Sequence, residues 1–107
     1  PILLNEVSKK TISLHDVVKL TSFNPMKIFK VKNKGLIKEG YDADLTFVNL
    51  LKTRKIDNKL VQSKCKWSPF HGMKIKGWPI GTMINGTKVF WKDKVLGKPL
   101  GKPLNFY

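Results

Sequence analysis

The chain has 107 residues, a formal net charge of +14 and an apolar fraction of 41%. That length holds one domain with a modest core and excludes a complete (β/α)8 barrel, which takes roughly 250 residues. The apolar fraction excludes a disordered tail, the single cysteine excludes a disulfide framework within the chain, and no apolar run reaches the ~18 residues of a membrane-spanning helix.

The charge comes almost entirely from lysine, with Arg54 the one arginine. Excess positive charge points toward a polyanion. Base-edge and bidentate phosphate recognition favours the planar fork of arginine, however, and the lysines are scattered from Lys9 to Lys102. The composition therefore favours a solvated lysine surface, and no nucleic-acid partner is expected. Pro1 in place of an initiator methionine suggests that something precedes this segment. Asn5, Glu6, Lys9 and Lys10 interrupt any apolar core of a secretory signal, so a cytoplasmic protein without a membrane partner is expected.

In chain order, Ile2, Leu3, Leu4 and Val7 form an apolar patch suited to a helix entering from upstream, ending in the polar run Ser8 to Thr11. Ser13 fits an N-cap, with Asp16 as the reciprocal acid of a capping box. Leu14, Val17, Val18 and Thr21 then supply a helical stripe, widened by Leu20. Asn24-Pro25 reads as a second helix start, because asparagine caps and proline at the first helical position loses no hydrogen bond. Met26, Ile28 and Phe29 give that short helix its contacts. Two short helices joined by a corner need a larger surface to lie on.

From Asn33 the period changes to two. A short strand is expected at Leu36-Ile37, a turn over Lys38 to Asp42, and a strand over Ala43 to Leu50 with Leu45, Phe47 and Asn49 on one face. Residues 51–73 are the least periodic, with a short strand near Lys55-Ile56 and a loop through Ser68-Pro69-Phe70-His71-Gly72. A hairpin follows: Ile80 to Ile84, Asn85-Gly86 as the turn, then Lys88 to Trp91. Lys92-Asp93-Lys94 turns toward Val95 and Leu96, and the doubled Gly-Lys-Pro-Leu at 97–104 reads as an extended tail.

Little in this inventory supports chemistry. A metal site needs several converging imidazoles, thiolates or carboxylates. His15, His71, Asp16 and Asp42 are far apart in sequence and fall in no motif. His15 suits the exposed side of a helix, and His71 a loop position bonded to backbone. Cys65 could act as a nucleophile only with a base such as His71 beside it. Asp42 and Asp44 suit a turn and a strand start better than a paired-carboxylate site. No phosphate-cradling glycine motif occurs. Phe90-Trp91 between Lys88 and Lys92 suits the core of a small sheet better than a stacking platform for nucleic acid. No catalytic, metal or cofactor residue is assigned to this chain.

The order of segments carries more. Pro1 to Val7, Ile12-Ser13-Leu14 and Val17 to Leu20 resemble the last barrel helices of the dihydroorotases and related cyclic amidohydrolases. Thr21 to Phe29 resembles their (S/T)xNPAKIF element, and Lys34 to Val48 their KGxIxxGxDADLxxxD strand pair. Lys64 to Met73 is similar to their KxxxSPFxGM loop, and Ile84 to Phe90 to their hairpin. Met26 and Asn49 depart from the alanine and the acidic residue common there. The SPFxGM loop tilts the likeness toward the dihydroorotase, hydantoinase and allantoinase group, and within it toward dihydroorotases of the multifunctional type.

This resemblance implies an α+β fragment: terminal helices of a (β/α)8 amidohydrolase barrel at 1–32, part of a small antiparallel β-sandwich at 33–96, and an extended tail at 97–107. It implies a parent that uses zinc for the reversible cyclisation of N-carbamoyl-L-aspartate to dihydroorotate in pyrimidine biosynthesis, with every metal ligand and catalytic group upstream. The expected partners are the missing barrel and sandwich strands of the same protein, with a homo-oligomer or an association with aspartate transcarbamoylase as further possibilities. A hydantoinase or allantoinase fragment, or a stand-alone basic binding module, are the alternatives. Taken alone, the chain is expected to expose apolar patches and to oligomerise or be marginally stable.

Overall fold

The computed structural model describes residues 1–107. Helix α1 runs over Ile2–Ser8 and α2 over Leu14–Val18, followed by a π-helical turn at Lys19–Phe23 and by α3 at Asn24–Ile28. Strands β1 (Leu45–Lys55), β2 (Lys74–Ile84), β3 (Thr87–Trp91) and β4 (Lys94–Val95) form one antiparallel sheet in the order β1-β2-β3-β4, and a 3-10 turn at Asn58–Leu60 lies between β1 and β2.

The expected capping box forms. The Ser13 hydroxyl accepts from the Asp16 amide at 3.0 Å, and the Asp16 carboxylate accepts from the Ser13 amide at 3.1 Å. The expected second helix start does not. Phe23 and Asn24 both have helical backbone angles, so Asn24 is not in the extended conformation that capping requires, and the helix passes through. Pro25 explains the π turn: in an α-helix its ring would strike the carbonyl four residues back. The wider turn just before it, in which the Asn24 amide reaches back to the Lys19 carbonyl, relieves that clash. The helix ends in a Schellman motif. Lys30 takes φ +52°, and the Val31 amide donates to the Met26 carbonyl at 3.0 Å.

Leu36-Ile37 is not a strand. No ladder partner faces it, and Ile37 is 91% exposed. The segment is shaped instead by Gly35, at φ +81°, where an added Cβ would come within 2.8 Å of the Ser22 carbonyl oxygen.

The two strands expected near 43–50 and 55–56 are a single strand, β1. Its pairing with β2 is irregular between Asn49 and Thr53. There the Asn49 side-chain carbonyl accepts from the Leu51 and Lys52 amides, both at 3.0 Å, and takes the place of ladder partners. β2 likewise begins six residues before the expected Ile80. Gly77 and Pro79 look like strand breakers in sequence, yet Gly77 at φ +93° lets β2 pass close to Leu4 of α1. The Asn85-Gly86 hairpin forms as expected, with φ +48° and +76°. A second turn of the same kind at Lys92-Asp93, φ +46° and +69°, brings in β4.

Residues 97–104 carry no regular structure, but the end of the chain is anchored. Phe106 bridges Val31, the Lys32 amide donates to the Asn105 carbonyl and the Tyr107 amide to the Lys30 carbonyl, both at 2.9 Å.

Helix α1 lies on β2: the Asn5 side-chain carbonyl accepts from the Lys76 amide at 2.9 Å. Beneath it Ile56, Ile75 and Trp78 form the core, with Ile2 and Leu60 packed against them. Only 9 of 107 residues are buried, so most of the apolar side chains meet water.

Candidate functional site

The residues with chemical potential do not converge. His15 is exposed on α2, and Asp16 is occupied in the capping box, where Ser13 holds its carboxyl below the usual range. The His71 Nδ1 accepts from the Asn58 amide at 3.0 Å, which makes it a loop tie. Cys65 is exposed and 3.1 Å from the Ser63 hydroxyl, whose hydrogen bond lowers the thiol pKa, and no histidine is bonded to it. No three His, Cys, Asp or Glu side chains are placed to hold a metal ion. The donor set of this chain does not fit the zinc that the resemblance implies for a parent, and no chemical step through a metal follows from these residues.

Asp42 and Asp44 do come together, on Lys34. The ammonium lies 2.9 Å from Asp42 and forms a still closer pair with Asp44, whose other oxygen accepts from the Asn85 amide at 2.9 Å. Asp42 and then Asp44 raise the Lys34 pKa, and Lys34 pulls that of Asp44 down. This cluster joins the 33–44 segment to the β2–β3 turn.

Trp91 of the expected core pair covers Gly81, where an added Cβ would lie 2.3 Å from the ring. It meets Phe47 edge-on at 5.3 Å between centroids, with the Lys88 ammonium 4.4 Å from its centroid. Three strands are thus linked on one sheet face.

An open groove of about 720 Å³ lies between the first two helices, the 34–37 segment and the edge of the sheet. Leu3, Leu14, Val18, Leu36 and Val48 line it and remain 40%, 37%, 50%, 41% and 37% exposed. The Lys34–Asp42–Asp44 cluster stands at its rim. Contiguous exposed apolar surface of this kind marks an interaction surface or a ligand groove. Strand β1 is a sheet edge, with its outer backbone groups unpaired by any strand of this chain. The apolar pair Leu36-Ile37, expected as a short strand, lines this groove instead.

The Amidohydrolase family model matches residues 2–89. Over 101 residues the chain is 42% identical to a dihydroorotase of Pyrococcus horikoshii, an alignment covering 94% of this chain and 24% of that protein. It is 38% identical over 96 residues to an L-hydantoinase of Paenarthrobacter aurescens, covering 89% of this chain and 21% of that one. Among solved structures, the L-hydantoinase (dihydropyrimidinase) from Arthrobacter aurescens matches with a TM-score of 0.86 at 37% identity, over 92% of this chain and 22% of that one. The chain thus spans about a quarter of the length of the curated relatives it matches.

Proposed function

On the premise that this chain belongs to the amidohydrolase family, we propose that it is the C-terminal structural portion of a dihydroorotase-like, metal-dependent cyclic amidohydrolase and has no catalysis of its own. The parent reaction is the reversible closure of N-carbamoyl-L-aspartate to dihydroorotate with loss of water. The observation that carries this reading is the pairing of near-complete coverage of this chain with about a quarter coverage of the dihydroorotases. The open apolar groove supports it: α1, α2 and the free edge of β1 present the surface that a barrel and additional sandwich strands would cover. The role of the segment is then to complete the scaffold that holds a metal centre built elsewhere.

The test is reconstitution. The 107-residue chain alone, the upstream barrel alone, and both together are assayed for carbamoyl-aspartate cyclisation and for dihydroorotate hydrolysis. Activity is expected only when the barrel is present, and turnover by the chain alone would sink the proposal. A hydantoinase parent is the second reading, favoured by the TM-score of 0.86 with an L-hydantoinase structure. Hydantoin opening without dihydroorotate turnover in the reconstituted protein would decide for it.

A further inference from the structure

Only three of the 21 basic residues, Lys9, Lys34 and Arg54, reach a carboxylate. Asp16 and Asp57 are engaged instead as caps of α2 and of the 3-10 turn. Much of the positive charge therefore lacks a partner inside the chain, and the fold gathers part of it on one surface.

At the far end of the β1–β2 ladder, Lys55 pairs directly with Lys74, and Thr53 with Lys76. Strand alternation puts these four residues on one face of the sheet, and all four are exposed. Arg54 and Ile75 point the other way, where Arg54 stacks on Trp78 and Ile75 enters the core. Like charges directly opposite each other destabilise a ladder. Natural proteins break such local rules at functional sites.

The loop that follows β1 closes at the same end. The Gly72 amide donates to the Ile56 carbonyl and the Ile56 amide to the Met73 carbonyl, both at 2.9 Å. An added Cβ at Gly72 would lie 4.0 Å from the Lys55 Cε. This loop carries the exposed Lys59, Lys64 and Lys66, and leaves Trp67 58% and Phe70 42% exposed. Asp57, Cys65 and His71 are the other titratable groups there, and Asp57 feels His71, Lys59 and Lys55. Unpaired ammonium groups are costly to bury against an apolar layer. The lysine face is thus a poor surface for burial in a larger protein, unlike the groove.

We propose that the face formed by Lys55, Lys74 and Lys76, with Trp67 and Phe70 at the same end of the sheet, binds the phosphate backbone of single-stranded nucleic acid. The lysines supply sequence-independent phosphate contacts and the aromatic rings supply faces on which bases stack. Chain order scatters these lysines, and the antiparallel pairing brings three of them together. This inference does not rest on the hydrolase reading, since none of its residues has a part in catalysis.

The experiment is fluorescence anisotropy of labelled single-stranded poly-dT and of the matching poly-rU. The probe is titrated with the full polypeptide that carries this segment, from low to physiological salt, with amidohydrolase activity measured on the same preparation. Three phosphate contacts predict a log–log salt slope of about −2. The triple variant K55E/K74E/K76E should weaken binding at least tenfold and flatten the slope. Trp67→Ala should weaken binding severalfold at unchanged slope. If the charge reversal disturbs folding, judged by circular dichroism, the triple glutamine variant at the same positions is read instead. Absence of binding at low salt, binding unchanged in the triple variant, or equal competition by poly-glutamate, which would make the face a general acidic-protein surface, overturns the proposal. Because activity is read separately, loss of the hydrolase assignment and loss of this one are distinguishable.

Discussion

Lys34 closes a loop with one side chain. Its ammonium bonds Asp42 and Asp44, and Asp44 carries the link on to the Asn85 amide, so three stretches distant in sequence meet at one charge. The folded-state pKa of Asp44 is lowered, chiefly by Lys34. Its stabilisation is therefore present above the ordinary carboxylate range and is lost as pH falls through the depressed folded value. Melting temperature followed by circular dichroism on acidification should fall more steeply for the native chain than for Asp44→Asn. Equal slopes would show that the pair contributes nothing. Gly77 is a second residue-scale constraint. Its φ of +93° and the 2.7 Å separation of an added Cβ from the Leu4 Cβ leave no room for a side chain. Gly77→Ala should cost on the order of 2 kcal/mol in urea denaturation, and a cost under a few tenths would show that α1 is not held against β2.

At the scale of elements, the β2–β3 hairpin is the most locally encoded part of the molecule. Asn85 and Gly86 both occupy positive φ, which the two-residue turn demands and which most side chains resist. Gly86→Val should destabilise by about 1 kcal/mol or more, and the loss should appear in amide exchange across Thr82 to Phe90 before it appears elsewhere. The continuous 14–28 helix shows the opposite case. Asn-Pro is a start signal in isolation, but a π turn just before Pro25 makes room for its ring and lets the helix run through it. β1 was hidden for a related reason: the Asn49 side chain supplies the hydrogen-bond acceptor that a regular ladder would have supplied, and the strand crosses its own irregularity.

For the molecule as a whole, burial is the governing quantity. With nine buried residues in 107 and an apolar groove left open, the chain has too little core to offset the entropy of ordering it comfortably. The isolated chain should therefore bind a dye specific for exposed apolar surface and elute from size exclusion as an oligomer. Adding the upstream barrel should suppress both signals. A monomer with a sharp cooperative melt and no dye binding would contradict the idea that this surface awaits a cover.

Local encoding accounts for the features that could be read directly from residue order. The capping box at Ser13 and Asp16, the helical stripe from Leu14 to Val18, the Asn85-Gly86 turn and the succession of family-like segments each depend on residues a few positions apart, whose geometry follows from backbone sterics and short-range hydrogen bonds. Other features depend on groups that meet only after folding. Gly77 could be known as a passage for Leu4 only once α1 lay on β2. Leu36 and Ile37 looked like a strand because an apolar pair carries no information about whether a partner exists. The tail gave no sign that Phe106 would return to Val31, and lysines scattered along the chain gave none that Lys55, Lys74 and Lys76 would share one face. Long-range packing sets these outcomes because each needs two distant segments whose meeting is paid for by burial neither can achieve alone.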